Sequence, residues 1–284
     1  MMFHKITVLG VGLIGASFAR AMKKNGLCKE IAGFGRNKEN LSRARERGII
    51  DSFALDPGEA CKGSELIFFS TPVGSFMDLA KKAVPFFSPG AIVTDAGSVK
   101  GNLVYEIEKI MPERVYYIGA HPIAGSELSG IEPSDAGLFM NAKCIITPTE
   151  NSDAGALKKV TEMWQSVGAR IVTMGPERHD VIYACVSHLP HVIAYSLVNT
   201  VSEKDRSYLE FCGQGFKDVT RIAASSPELW RDICLLNRDN MLETISLFQD
   251  NLETLSRYLR AHDSASLEGE FKKARALRIG IEQN

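Results

Sequence analysis

Within the first fifteen residues the apolar run Lys5-Ile-Thr-Val-Leu9 leads into Gly10-Val-Gly12-Leu-Ile-Gly15, and a helix-forming stretch begins at Ala16. A strand, a tight turn and a helix with glycines at this spacing form the opening of a βαβ unit, which commits the chain to a parallel sheet. Each glycine has a separate reason. Gly10 permits the turn, Gly12 lets backbone approach a pyrophosphate, and Gly15 lets helix and strand pack closely. The N-terminus of the helix that follows has free N–H groups suited to phosphate oxygens, and Leu13 and Ile14 within the loop belong to the same cofactor contact. The loop therefore predicts a dinucleotide cofactor, NAD or NADP.

The ribose end is less determined. An acidic residue usually closes the second strand of an NAD site, about 20 residues on. Here that place is held by Gly35, with Arg36 after it. Arg36 can take a 2′-phosphate, stack on adenine, or serve as a solvated surface arginine, so both cofactors stay open. Ser70-Thr71-Pro72 ends the run Leu66–Phe69 and should line the same sheet edge as the glycine loop.

Short apolar runs continue at 30–36, 66–72, 91–97, 115–121, 142–148 and 170–175, most of them separated by helix-like stretches such as 99–111 and 157–167. This alternation predicts an α/β domain over residues 1–174, with a mostly parallel sheet covered on both faces. After Met174-Gly175-Pro176 the texture becomes helical, which predicts an all-α second domain over 175–284. In 227–262, Leu242, Ile245, Phe248, Leu252, Leu255 and Leu259 recur at steps of three and four. Unbroken, that helix would be about 54 Å long and would need a partner surface, either within a bundle or on a second subunit.

Bulk properties exclude several classes. A formal net charge of −1 supplies no field for nucleic acid or a membrane surface. The six cysteines are scattered without a CxxC pair, as expected of buried thiols in a reducing compartment. The run Ile6–Ala19 is too short and too glycine-rich to span a bilayer, and the first residues lack the layout of a signal peptide. The expectation is a cytoplasmic protein without a metal site.

Chemistry gathers at strand ends. Asp95-Ala-Gly97-Ser98-Val-Lys100 follows one apolar run, and Ser98 can present a hydroxyl to the cofactor edge or cap a helix starting at Val99. The next run ends in His121-Pro-Ile-Ala-Gly-Ser-Glu127, where His121 is a candidate acid/base with a pKa near neutral and Glu127 can orient it. Downstream, Ser187-His188-Leu-Pro190-His191 puts two histidines on one helical face, with a kink predicted at Pro190. Of the two, His188 is the better candidate for satisfying the freed backbone. In Gly215-Phe-Lys217-Asp218-Val-Thr-Arg221, Arg221 offers a guanidinium fork for a carboxylate, or pairs with Asp218 on the surface. Trp230 reads as a core residue.

Taken in order, GVGLIG, STPV, DAGSVKG, GAHPIAGSE, SHLPH and GFKDVTRIAASSPELWRDI resemble the prephenate dehydrogenases and their arogenate-using relatives over essentially the whole chain. The resemblance implies a nucleotide-binding domain on a helical, homodimer-forming domain. It implies that His121 is catalytic, that Ser98 positions the substrate hydroxyl, that Glu127 tunes the pocket, and that His191 and Arg221 face the substrate. The implied reaction is oxidative decarboxylation of prephenate to 4-hydroxyphenylpyruvate on the route to tyrosine, or the same chemistry on arogenate. Two rivals remain at this level: a β-hydroxyacid dehydrogenase relying on Lys217, and a non-catalytic nucleotide sensor.

Overall fold

The computed structural model describes residues 1–125, 128 and 130–281. By internal packing the chain divides into a unit from Met1 to Arg238 and a smaller one from Asp239 to Asn284.

The larger unit is built on an eight-stranded sheet in the order β3-β2-β1-β4-β5-β6-β7-β8. The strands are β1 (Phe3–Leu9), β2 (Cys28–Phe34), β3 (Ser52–Ala54), β4 (Leu66–Phe69), β5 (Ile92–Asp95), β6 (Tyr116–Pro122), β7 (Lys143–Thr147) and β8 (Arg170–Thr173). Every neighbouring pair is parallel except β6 and β7, which run antiparallel with His121 opposite Ile145 and Pro122 opposite Cys144. Helices α1 (Leu13–Lys24), α2 (Lys38–Glu46), α3 (Pro57–Cys61), α4 (Phe76–Ala83), α5 (Gly101–Lys109) and α6 (Ala154–Ser166) connect them. The short β3 escapes sequence reading because three residues carry no period.

Strand β4 shows why its apolar run is continuous. Leu66 and Phe68 enter one core, with Phe18 of α1 and Trp164 of α6, while Ile67 and Phe69 enter the other, with Phe76 of α4 and Val104 of α5. A strand buried on both faces has no polar side to alternate with.

Beyond β8 the chain is helical: α7 (Pro176–Tyr183), a π-helical turn (Ala184–His188), α8 (Leu189–Lys204), α9 (Gln214–Thr220) and α10 (Pro227–Leu236). The disturbance expected at Pro190 is that π turn, which ends two residues before the proline with the Leu189 amide donating to the Ala184 carbonyl. The run Pro176–Lys204 is long and apolar enough to cross a membrane by length and composition, a longer candidate than Ile6–Ala19, and 17% of its most apolar window is buried.

The helix expected over 227–262 is not continuous. Asn237 ends α10 with φ −107° and ψ 31°, and α11 (Arg238–Arg260) starts anew. Its side chain explains the break, because Nδ2 donates to the carbonyl of Asp180 at 2.9 Å and lies 3.2 Å from His188 Nδ1. The smaller unit consists of most of α11 together with α12 (Ser264–Ile281). On α11, Leu242, Leu252 and Leu259 of the apolar stripe are exposed.

Candidate active site

The glycine loop bears the marks of a dinucleotide cradle. Gly10 has φ +105°, and a Cβ there would lie 2.7 Å from the Thr71 nitrogen. A Cβ on Gly15 would lie 2.2 Å from the Gly10 carbonyl, so strand and helix could not close. At Gly12 the same atom would meet nothing within 4 Å, which leaves the open space a diphosphate needs. Gly12 caps α1 without a side-chain bond, so the amides of Leu13 and Ile14 open the helix toward that space. Ser70 Oγ donates to the Gly10 carbonyl at 2.9 Å and fixes the loop to the end of β4, with Thr71 and Pro72 following. Arg36, two residues past β2, is exposed.

The stretch after His121 reaches this cradle. Gly125 has φ +149°, and a Cβ there would lie 3.7 Å from Ile14 Cδ1. His121 itself stands inside β6, one residue before its end, rather than in an irregular turn. Glu127 lies outside the described residues.

His121 is buried, and burial, followed by His179, Lys100 and His188, holds its pKa well below the usual histidine value. That corrects the near-neutral expectation: at pH 7 the ring is a neutral base. Its Nδ1 lies 2.8 Å from His179 Nε2, and His179 Nδ1 lies 2.7 Å from Asp180 Oδ1. Tyr183, one turn further along α7, stacks on His179 with ring centroids 4.4 Å apart and tilts against His121 at 4.9 Å.

Beneath the site sits a fully buried ion pair between Lys100 and Asp95. Asp95 also accepts from Tyr117 Oη and from the Gly97 amide, the latter at 3.1 Å. Burial and Asp95 push the Tyr117 phenol well above its ordinary pKa, so it stays a donor. This network holds the 95–100 loop that carries Ser98. Ser98 is not the N-cap of the following helix: α5 begins at Gly101, capped at Lys100, whose backbone amide donates to Asp180 Oδ1 at 2.8 Å. A carboxylate from α7 supplies the acceptor a serine cap would have provided.

The helical wall comes from α8 to α10. His191 stacks on Trp230 with centroids 3.4 Å apart and planes 19° apart, and Trp230 also meets His188 edge-on at 6.0 Å. Trp230 thus packs against the core, as expected, and also carries the ring of His191. The backbone contact expected of His188 is made by His191 instead, and to Ser187 rather than to the carbonyl of Val186. His191 Nδ1 donates to the Ser187 carbonyl at 2.9 Å, whereas His188 turns to Asn237. Burial pushes His188 down to about 4; its Nε2 makes no well-aligned hydrogen bond, and the Ser98 backbone lies against the ring. Arg221, exposed where α9 ends, is near enough to His191 to lower its pKa, after burial has done so. Lys217 is exposed on α9. Among the described residues, no group of three or more His, Cys, Asp or Glu is placed to hold a metal ion.

Sequence reasoning missed His179, Asp180, Tyr183 and Asn237. Pro176-Glu-Arg-His-Asp180 falls in a stretch read only as helical, and its charges are of a kind common in a helix first turn.

Two family models cover nearly the whole chain: residues 18–173 match the prephenate dehydrogenase nucleotide-binding domain, and residues 175–273 match the prephenate dehydrogenase dimerization domain. The chain belongs to the prephenate dehydrogenase family. Prephenate dehydrogenase of Bacillus subtilis is 34% identical over 97% of this chain and 76% of its own length. Cyclohexadienyl dehydrogenase of Zymomonas mobilis is 32% identical over 98% of this chain and 96% of its own. Among solved structures, prephenate dehydrogenase from Aquifex aeolicus, in complex with hydroxyphenyl propionate and NAD+, superposes with a TM-score of 0.93. It is 37% identical and covers 99% of both chains. The chain is therefore an oxidoreductase of the prephenate dehydrogenase type, with a dinucleotide-binding α/β domain and a helical domain of the dimerization type.

Proposed function

We propose that the enzyme oxidatively decarboxylates prephenate to 4-hydroxyphenylpyruvate with NAD as hydride acceptor, and that His121 is the base. One observation carries this reading: a buried, neutral histidine whose Nδ1 is engaged by His179, leaving Nε2 for a substrate hydroxyl. A dinucleotide held at the Gly10–Gly15 loop and the start of α1 would supply a nicotinamide carbon able to accept hydride from the ring carbon bearing that hydroxyl. His121 Nε2 takes the hydroxyl proton as the carbon is oxidised to a ketone. The ring carboxylate then leaves as carbon dioxide, and its bonding electrons aromatise the ring. The former ketone oxygen becomes a phenolate, which recovers the proton from His121. Ser98 positions the hydroxyl, Glu127 tunes the pocket, and the His191–Trp230 stack forms a flat wall for the ring. Arg221 answers a carboxylate. The protein supplies orientation and charge complementarity, and no nucleophile is needed.

The NAD choice draws on the NAD+ in the Aquifex aeolicus complex; Arg36, with no carboxylate at Gly35, favours some use of NADP. The cyclohexadienyl relative supports arogenate as a second substrate, since both rings present the same hydroxyl and carboxylate. We further propose a homodimer in which a second subunit covers the exposed leucines of α11 and the little-buried Pro176–Lys204 run. The six free cysteines favour a reducing, cytoplasmic setting. The test is a kinetic panel of prephenate and arogenate against NAD and NADP, with carbon dioxide and aromatic product measured. His121→Asn should lower kcat by about 100-fold or more while leaving NAD affinity within twofold. Turnover of the variant at the wild-type rate would end the reading.

A further inference from the structure

We propose that His179 and Asp180 are positioning residues that lock His121 into one tautomer, with Nδ1 protonated and Nε2 bare. The inference deepens the reading of His121 as the base and rests on it for its catalytic meaning, though not for the tautomer itself.

The direction of each hydrogen bond follows from the acid end of the chain. A carboxylate only accepts. Asp180 Oδ1 accepts from the Lys100 amide at 2.8 Å, so its contact with His179 Nδ1 at 2.7 Å requires a proton on that nitrogen. His179 is buried, which favours the neutral ring, so its Nε2 carries a lone pair. That lone pair lies 2.8 Å from His121 Nδ1, and only a proton on His121 Nδ1 makes the contact a hydrogen bond. The remaining nitrogen of His121, Nε2, is then the bare one. Without the relay, a free imidazole distributes its proton between both nitrogens, and the fraction with Nε2 protonated cannot accept from a hydroxyl.

The surroundings hold Asp180 for this task. It is buried on α7, and a Cβ on Gly101 would lie 2.5 Å from its Oδ2, so only glycine lets the helix α5 N-terminus come so close. Its backbone carbonyl accepts from Asn237 Nδ2 at 2.9 Å. Tyr183 stacks on His179 and keeps that ring from rotating out of line. Because Asp180 bonds Lys100 as well as His179, one carboxylate sets the register of His121 and of the loop bearing Ser98.

The decisive measurement needs no substitution in the relay. Nitrogen-15 NMR of histidine-labelled enzyme, with the His121 signal assigned by its loss in His121→Asn, should show Nδ1 protonated and Nε2 unprotonated at pH 7.5. A proton on Nε2 of His121 would overturn the proposal. Asp180→Asn removes the charge while keeping an acceptor for Lys100. It should lower kcat by about 100-fold, with KM and NAD affinity within twofold, and give a mixed His121 tautomer. His179→Gln retains an oxygen that accepts from His121 Nδ1, so it should keep at least about tenfold more kcat than His179→Leu. Equal losses in those two, or an Asp180→Asn enzyme with wild-type kcat and an unchanged tautomer, would refute it. If instead His121→Asn itself retains turnover, the base assignment fails while the tautomer result still stands or falls on the spectrum.

Discussion

Acidification should destabilise this protein well before its carboxylates titrate, and His188 allows the effect to be isolated. Its ring is buried, with a pKa near 4 in the folded chain against an ordinary 6.5. Between those values the unfolded chain binds a proton that the folded chain refuses, so folding stability falls as pH drops from 6.5 toward 4. Above 6.5 both states are neutral and the full stability is present; below about 4 both are protonated and the loss levels off. The slope is about 1.4 kcal/mol per pH unit, and the whole window costs roughly 3 kcal/mol. His121 and His179 shift in the same direction, also chiefly by burial, and steepen the decline.

The comparison is between wild type and His188→Asn. Asparagine Oδ1 can accept from Asn237 in place of His188 Nδ1 but does not titrate. Urea unfolding of both proteins, at one protein concentration and from pH 7.5 to 4.5, separates the terms. Any cavity left by the smaller side chain offsets the two curves by a constant. Wild type should lose about 2–3 kcal/mol more than the variant over this range. Parallel curves would refute the argument, because they would mean that His188 is protonated equally readily in both states.

Two further outcomes follow from the ion pair and the guanidinium. Lys100→Met should cost about 3–5 kcal/mol by leaving Asp95 buried without its cation, seen as a fall in melting temperature of roughly 6–20 °C. Lys100→Met with Asp95→Asn should recover part of that loss, and a single variant within 1 °C of wild type would show the pair to be dispensable. Arg221→Ala should raise KM for prephenate roughly 10- to 100-fold, equivalent to about 1.5–3 kcal/mol, with kcat little changed. An unchanged KM would remove Arg221 from the substrate.

The parallel sheet was legible because its strands are buried on both faces. Leu66-Ile-Phe-Phe69 has to be continuous when Leu66 and Phe68 serve one core and Ile67 and Phe69 the other. The glycine loop was legible for a related reason, since the conformation and close approaches at Gly10 and Gly15 tolerate no side chain. What stayed hidden depends on partners remote in sequence. Asn237 looks like an ordinary helical residue until Asp180, 57 positions earlier, accepts from it and the helix breaks. Ser98 is a credible cap by local rules, yet the amide that needs an acceptor finds Asp180, 80 positions away from Lys100.

The relay behind His121 marks where local reasoning ends, and also where a weaker signal was available. A charged first turn on a helix is normally solvated, so nothing local in the sequence singles out His179 or Asp180. Yet His179, His188 and His191 fall within thirteen residues in a chain with six histidines altogether. Such clustering on one helical run facing a sheet edge is hard to reconcile with a solvated face, because neutral imidazoles gain most where a buried partner can read their tautomer. His121 then supplies that partner from β6, 58 residues away. The same logic separates the three: His179 is read by Asp180, His188 by Asn237, and His191 keeps one nitrogen on the backbone and its ring face on Trp230. His188 Nε2 also lies outside the relay and the Asn237 contact, but His188 is fully buried whereas His191 is only half-buried, so of the three His191 is the one whose free ring edge is open to a bound molecule.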